Sequence, residues 1–102
     1  MSRVESEYKD LDKFVYKDEH VSYYKKDTAI QHNPYGPATS FKNGYKEYII
    51  EGMYHRLDGP AIICGNGVEE YWINGEYLNK EQFEVHPERL KFLHKEHLVC
   101  LV

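Results

Sequence analysis

A tandem repeat of 23 residues occupies the middle of this 102-residue chain. Residues 32–54 and 55–77 align without a gap, with the sequences HNPYGPATSFKNGYKEYIIEGMY and HRLDGPAIICGNGVEEYWINGEY. Eleven of the 23 aligned positions carry the same residue, whereas unrelated segments of ordinary composition share about one or two. A repeat of this period predicts a small structural unit that must stack on its neighbour to bury its apolar side.

Each unit has the residues that a β-hairpin needs. Asn43-Gly44 and Asn66-Gly67 lie between short runs of strand-forming residues. Asn-Gly is the strongest two-residue turn pattern because both central positions of a type I′ turn require positive φ. We therefore predict type I′ turns at these two pairs, with Gly52 and Gly75 reversing the chain before the next unit.

The predicted turn sets the pairing of the strands. A two-residue loop at Asn43-Gly44 places Thr39 opposite Tyr48, and the equivalent loop places Ile62 opposite Tyr71. These four side chains, with Ile73 and their neighbours, form the more apolar face, so we assign that face to the core. The opposite face then carries Trp72 across from Ala61.

A decayed unit precedes the two full ones. Residues 16–27, YKDEHVSYYKKD, resemble residues 41–52, FKNGYKEYIIEG, at an offset of 25 residues. Asp18-Glu19 or Glu19-His20 then forms the turn, and Asp27 takes the position of Gly52. A sheet needs this much additional chain because an isolated hairpin is only marginally stable in water.

The flanking segments predict helices. Ser2 and Glu5 have the spacing of a capping box, as do Asn79 and Gln82, and Pro87 suits a first helical position. We expect one domain, mainly β, in which an antiparallel sheet of successive hairpin repeats has short flanking helices and an α+β C-terminus. Its segments are an N-terminal helix or arm (1–14), a degenerate repeat (15–31), the two full units (32–54 and 55–77) and a C-terminal helical cap (78–102).

The repeat is similar to a known family of hairpin repeats. Residues 55–83, HRLDGPAIICGNGVEEYWINGEYLNKEQF, resemble a variant of the MORN repeat (membrane occupation and recognition nexus), written roughly HRxDGPA…NG…YWxNG. The first unit departs from it, with Asn33-Pro34-Tyr35 where the second has Arg56-Leu57-Asp58. The variant is familiar in short proteins of tailed bacteriophages, giant viruses and some bacteria. The resemblance implies a scaffold for different partners, and the phage setting implies an anti-defence or host-takeover protein.

Charge and hydropathy disfavour several classes of function. The formal net charge is −4, with 13 basic residues interleaved among 17 acidic ones, so generic nucleic-acid binding is not expected. No apolar run reaches the roughly 18 residues of a membrane span, and the N-terminus lacks a secretory pattern. We therefore expect a cytoplasmic protein, in the host cell if it is phage-encoded. Cys64 and Cys100 are expected to be reduced thiols.

The sequence contains no recognisable catalytic or metal-binding motif. His32 and His55 occupy equivalent positions, and the repeat explains them as ring nitrogens bonded to a backbone carbonyl at a loop entry. The acidic residues, among them Asp12, Glu69 and Glu70, are scattered or exposed by pattern. We therefore expect a protein that is not an enzyme and that uses no cofactor or metal.

The candidate binding residues are aromatic. Tyr45, Trp72 and Tyr77 suit a surface that anchors another protein, although packing under a helix near Phe83 is the favoured interpretation of Trp72. The apolar end, Leu98–Val102, is compatible with docking on the sheet or with a homodimer contact.

Three functions follow from these observations. The first is a non-enzymatic protein-binding module, phage-encoded, that inhibits a host or defence protein. The second is a sponge that binds a small nucleotide signal between protomers. The third is a structural component of a virion or of its assembly.

Overall fold

The computed structural model describes residues 2–97 and shows a mainly β architecture with two short C-terminal helices, which confirms the predicted fold class. The strands are β1 (Ser2–Val4), β2 (Leu11–Val15), β3 (Val21–Lys25), β4 (Thr39–Ser40), β5 (Lys46–Glu47), β6 (Ile49–Ile50), β7 (Met53–Tyr54), β8 (Ile62–Ile63), β9 (Glu69–Ile73) and β10 (Glu76–Leu78). The helices are α1 (Lys80–Glu84) and α2 (Pro87–His97).

Successive hairpins form one long, antiparallel sheet. Eight strands follow the order β1-β2-β3-β4-β5-β8-β9-β10, while β6 and β7 form a separate two-stranded ribbon. Every neighbouring pair is antiparallel. The described chain therefore extends 50 × 31 × 20 Å, with the sheet displayed along its length.

The Asn-Gly pairs do reverse the chain, but the predicted type I′ turn is wrong. The N–H of Phe41 donates to the carbonyl of Tyr45 at 2.9 Å, so three residues, 42–44, form the loop. Gly44 has φ +95°, whereas Asn43 is not in the positive-φ region. This is the three-residue hairpin in which a left-handed residue follows an ordinary turn. Residues 65–67 repeat it, with Gly67 at φ +92°.

A side-chain hydrogen bond closes each of these loops. Asn43 Oδ1 accepts the N–H of Tyr45 at 3.0 Å, and Asn66 Oδ1 accepts the N–H of Val68 at 3.1 Å. In the preceding segment, Asp18 Oδ1 accepts the N–H of His20 at 3.1 Å, and Glu19 takes the left-handed position at φ +70°. Residues 16–20 thus form the same loop as the two full units.

The two-residue turns with positive φ at both positions lie at the other end of each unit. Glu51-Gly52 and Asn74-Gly75 have φ values of +51° and +78°, and of +51° and +79°. His32 Nδ1 accepts the N–H of Glu51 at 2.8 Å, and His55 Nδ1 accepts the N–H of Asn74 at 2.9 Å. The repeated histidines therefore bind a backbone N–H of a turn, and not the carbonyl that the sequence suggested.

The longer loop shifts the strand register by one residue. Thr39 pairs with Glu47 instead of Tyr48, and Ile62 pairs with Glu70 instead of Tyr71. A shift of one residue exchanges the two faces of a strand relative to its partner. The predicted placement of Thr39 and Ile62 on the face of Tyr71 is therefore wrong, because they share the face of Glu70.

One cluster of the hydrophobic core lies between the last hairpin and α1. Ile73, Leu78 and Phe83 are buried together, with Leu57 and Tyr71 packed against them. The assignment of Tyr71 and Ile73 to the core is thus confirmed. The Tyr71 and Phe83 ring centroids are 4.5 Å apart.

The C-terminal helices begin where the sequence predicts. Asn79 Oδ1 accepts the N–H of Gln82 at 2.7 Å, and Gln82 Oε1 accepts the N–H of Asn79 at 2.9 Å, which is a capping box. Helix α2 starts at Pro87. Among the described residues, no helix has the length and apolar character needed to cross a bilayer. The proposed dimer contact, Leu98–Val102, falls outside the described residues.

The predicted N-terminal helix is wrong, because residues 2–4 form an edge strand that pairs with β2. A buried carboxylate explains the difference. Arg3 donates to Asp12 Oδ1 at 2.6 Å, and the N–H of Asp27 donates to Asp12 Oδ2 at 2.8 Å. These bonds, that of Asp27 first, hold the pKa of Asp12 below its usual value. Asp12 is therefore a structural group and not the exposed residue that the pattern indicated.

Replacing Gly67 with alanine tests the left-handed loop position. A Cβ there meets no atom within 4 Å, so backbone conformation alone opposes the change. We expect Gly67→Ala to lower the free energy of unfolding by at least about 1 kcal/mol. Gly36→Ala is the matched control, because Gly36 does not have positive φ and its nearest neighbour is 4.0 Å away. Equal unfolding free energies for the two variants, measured by urea denaturation, would contradict the turn assignment.

Truncating Tyr71 tests the assignment of the core face. We expect Tyr71→Ala to lower the free energy of unfolding by roughly 3 kcal/mol, because the variant leaves a cavity beside Phe83. Tyr77→Ala removes the same group from a side chain that is 59% exposed and serves as the control. If Tyr77→Ala were the more destabilising variant in urea titrations, the two faces would be inverted.

Candidate protein-binding surface

A row of aromatic rings covers the sheet face that carries Glu70 and Trp72. The Trp72 ring centroid lies 5.1 Å from that of Tyr54 and 5.5 Å from that of Tyr77. Phe83 of α1 packs instead on Tyr71, whose side chain points to the opposite side of β9. We call this surface the aromatic face, and its rings are Tyr16, His20, Phe41, Tyr45, Tyr54, Trp72 and Tyr77.

Two glutamates hold the central rings of this face, Tyr45, Tyr54 and Trp72, in place. Glu47 Oε2 accepts the hydroxyl of Tyr45 at 2.6 Å and that of Tyr54 at 3.4 Å. Glu70 Oε1 accepts the indole N–H of Trp72 at 3.0 Å. Burial, with Glu47 next to the hydroxyl, raises the pKa of Tyr45 and of Tyr54 above the usual value, so both hydroxyls stay protonated near neutral pH. The polar ends of these rings are thus bonded, and the rings themselves are half-buried.

The row continues into the degenerate unit. The ring of His20 stacks between Tyr16 and Phe41, with centroid distances of 4.1 and 4.3 Å. Phe41 meets Tyr45 edge-on at 5.7 Å. The loops of the degenerate unit and of the first full unit therefore contribute one continuous set of rings, which ends at Tyr45.

The three candidate residues from the sequence lie on this one face. Trp72 contacts Tyr77 directly, and Tyr54 and Glu47 link Trp72 to Tyr45. Sequence reasoning missed both Tyr54 and Glu47. Trp72 does not pack under the helix near Phe83, because that position belongs to Tyr71. A usable signal was present, since Tyr54 matches Tyr77 and Glu47 matches Glu70 among the positions that the two units share.

A groove of about 600 Å³ lies apart from the aromatic face. It is lined by the loops at the start of the two full units, residues 33–37 and 55–58, and by Phe92 of α2. The guanidinium of Arg56, which lines this groove, is already bonded within the loop of the second unit. The guanidinium carbon of Arg56 lies 3.9 Å from the Tyr48 ring centroid, Nε donates to Asp58 at 2.9 Å and Nη1 donates to the carbonyl of Pro60 at 3.1 Å. Arg56 therefore serves to hold the loop.

The first unit achieves the same loop with a different residue. Buried Asn33 donates from Nδ2 to the carbonyl of Pro37 at 3.0 Å and accepts the N–H of Tyr35 at Oδ1, at 2.9 Å. Pro37 and Pro60 are equivalent, so Asn33 replaces Arg56 in function as well as in position. This explains the departure of the first unit from the repeat pattern.

Reactive and metal-ligating groups are dispersed in the part of the chain that the structure covers. Between residues 2 and 95, no three His, Cys, Asp or Glu side chains lie close enough together to hold a metal ion. Cys64 is a half-buried free thiol, and Cys100 falls outside this range.

Comparisons with protein-family models, curated proteins and solved structures give no match to this chain. The similarity to MORN repeats therefore stays an expectation that rests on the repeated residues.

The histidine at the groove makes the stability of the fold depend on pH. Burial lowers the pKa of His55, and Nδ1 must be unprotonated to accept the N–H of Asn74. An unfolded histidine has a pKa near 6.5, so below that pH the unfolded chain binds the extra proton first. This contribution to stability is complete above about pH 6.5 and decreases as the pH falls towards the lower native pKa.

We expect thermal unfolding of the wild type to lose more stability between pH 7.5 and 5.5 than that of His55→Asn. The asparagine oxygen can accept the same N–H, but the side chain does not titrate. A difference between the two proteins that stays constant over this pH range would contradict the role assigned to His55.

Proposed function

We propose that this chain is a non-enzymatic protein-binding module whose contact surface is the aromatic face. Two sets of contacting rings, Tyr16 to Tyr45 and Tyr54 to Tyr77, which Glu47 bridges, support this most directly. Aromatic side chains supply much of the binding energy at protein interfaces. Tyr77 is 59% exposed, and Val68, near the same face, is 53% exposed. Rings that are already positioned by Glu47 and Glu70 lose little conformational entropy when a partner binds.

The shape of the surface favours a macromolecule over a small ligand. Small-molecule sites are concave and enclose most of the ligand, whereas the aromatic face is one side of a sheet that extends along a 50 Å molecule. The groove apart from this face is lined by Arg56, whose guanidinium is already bonded to Asp58 and to the carbonyl of Pro60. A protein surface is therefore the better match for the aromatic face.

The resemblance to MORN repeats suggests the biological setting of this proposal. In short phage proteins of this type, the partner would be a host or defence protein in the bacterial cytoplasm. Binding would inhibit that protein by covering part of its surface, with no chemical reaction. The acidic net charge, −4, agrees with a target other than nucleic acid.

Affinity capture with matched tyrosine variants tests the proposal. Immobilised wild type, Tyr77→Ala and Tyr35→Ala would be incubated with bacterial lysate, and bound proteins would be quantified by mass spectrometry. Tyr77 and Tyr35 have similar exposures, 59% and 57%, but Tyr35 lies outside the aromatic face. We expect a saturable partner that Tyr35→Ala retains and that Tyr77→Ala binds at least about tenfold more weakly, equivalent to roughly 1.4 kcal/mol.

Two outcomes would contradict the proposal. One is that no protein is captured saturably by the wild type. The other is that Tyr35→Ala and Tyr77→Ala reduce capture equally, because the contact surface would then not be the aromatic face.

A further inference from the structure

Two carboxylates lie among the rings of the aromatic face. Glu47 and Glu70 are both paired with Ile62 across neighbouring strands, so the three belong to one row. Two strand spacings of about 4.8 Å place the two glutamates about 10 Å apart. Tyr54 lies between them, since its hydroxyl reaches Glu47 and its ring contacts Trp72, whose indole N–H is bonded to Glu70.

These carboxylates have no cationic partner among residues 2–95, whose side chains the structure describes. The ion pairs of that range involve other acidic residues, and the bonds that Glu47 and Glu70 accept come from neutral hydroxyl and indole groups. Lys46 is adjacent to Glu47 in sequence, but its side chain points to the opposite face of the strand. The centre of the aromatic face is therefore both aromatic and negatively charged.

This combination is complementary to a guanidinium group. The negative face of an aromatic ring attracts a cation, and a planar guanidinium can stack on a ring while it donates to a carboxylate. The protein already contains this arrangement in its own loop, where Arg56 lies 3.9 Å from the Tyr48 ring centroid and donates to Asp58 at 2.9 Å. The aromatic face presents the rings and the carboxylates without the arginine.

We propose that the aromatic face binds a protein segment through an arginine side chain that stacks on Tyr54 or Trp72 and donates to Glu47 or Glu70. The residues beside that arginine are apolar and contact Tyr77 and Tyr45. This inference rests on the proposed function and specifies the chemistry of the partner as a basic, apolar-flanked segment.

A peptide titration tests the inference on the unmodified protein. The indole N–H of Trp72, the only tryptophan, would be followed by ¹H–¹⁵N NMR during addition of acetyl-Leu-Arg-Leu-Arg-Leu-amide. The control peptide carries citrulline, the neutral isostere, in place of both arginines. We expect saturable shifts at Trp72 with the arginine peptide and at least tenfold weaker binding of the citrulline peptide. Equal affinities for the two peptides would overturn the inference.

Charge-matched variants test the role of the two glutamates. Glu47→Gln/Glu70→Gln keeps an acceptor oxygen for each ring donor, so the fold is expected to persist. Glu69→Gln/Glu76→Gln removes the same charge from exposed residues that belong to the other face. We expect the first variant to bind the arginine peptide at least fivefold more weakly and the second to match the wild type. Equal affinities for the two variants would overturn the inference.

The outcomes separate this inference from the proposed function. A protein captured through Tyr77 whose binding is unchanged in Glu47→Gln/Glu70→Gln would overturn the inference and leave the proposed function standing. Arginine-dependent shifts at Trp72 without any saturable protein capture would support the inference and count against the proposed function. A concentration-dependent dimer that blocks the arginine peptide would overturn the inference, because the face would then bind a second copy of this chain.

Discussion

The register of each hairpin depends on one residue in the left-handed conformation at the end of a three-residue loop. Gly44 and Gly67 hold this position in the two full units, and Glu19 holds it in the degenerate one. The side chain at the preceding position, Asn43 or Asn66 in the full units, closes the loop on the backbone. Since a shift of one residue would exchange the faces of a strand, this local conformation decides which side chains meet across the sheet.

The register separates the sheet into two chemically different faces. On one face Ile73 is buried with Phe83 and Tyr71 packs against them, and on the other Trp72 contacts Tyr54 and Tyr77. Helix α1 covers only the first of these faces. On the second, Glu47 and Glu70 accept hydrogen bonds from ring donors and are half-buried, and Tyr77 is exposed. The proposed binding of a basic protein segment follows from this separation.

Sequence reasoning predicted the repeats, the mainly β fold and both C-terminal helices, because Asn79, Gln82 and Pro87 carry local signals. The register was missed because Asn-Gly suits loops of two residues and of three. The pairing of Phe41 with Tyr45, which decides between the two loop lengths, is known only from the structure. The N-terminal strand was missed because tertiary contacts of Asp12 determine it.

The most direct test of this account is the environment of Trp72 in solution. A two-dimensional NOE spectrum resolves the single indole ring, and the account predicts cross-peaks from it to the rings of Tyr54 and Tyr77. Cross-peaks from the indole ring to Phe83 instead would contradict it, because Trp72 would then belong to the core and the aromatic face would lose its centre.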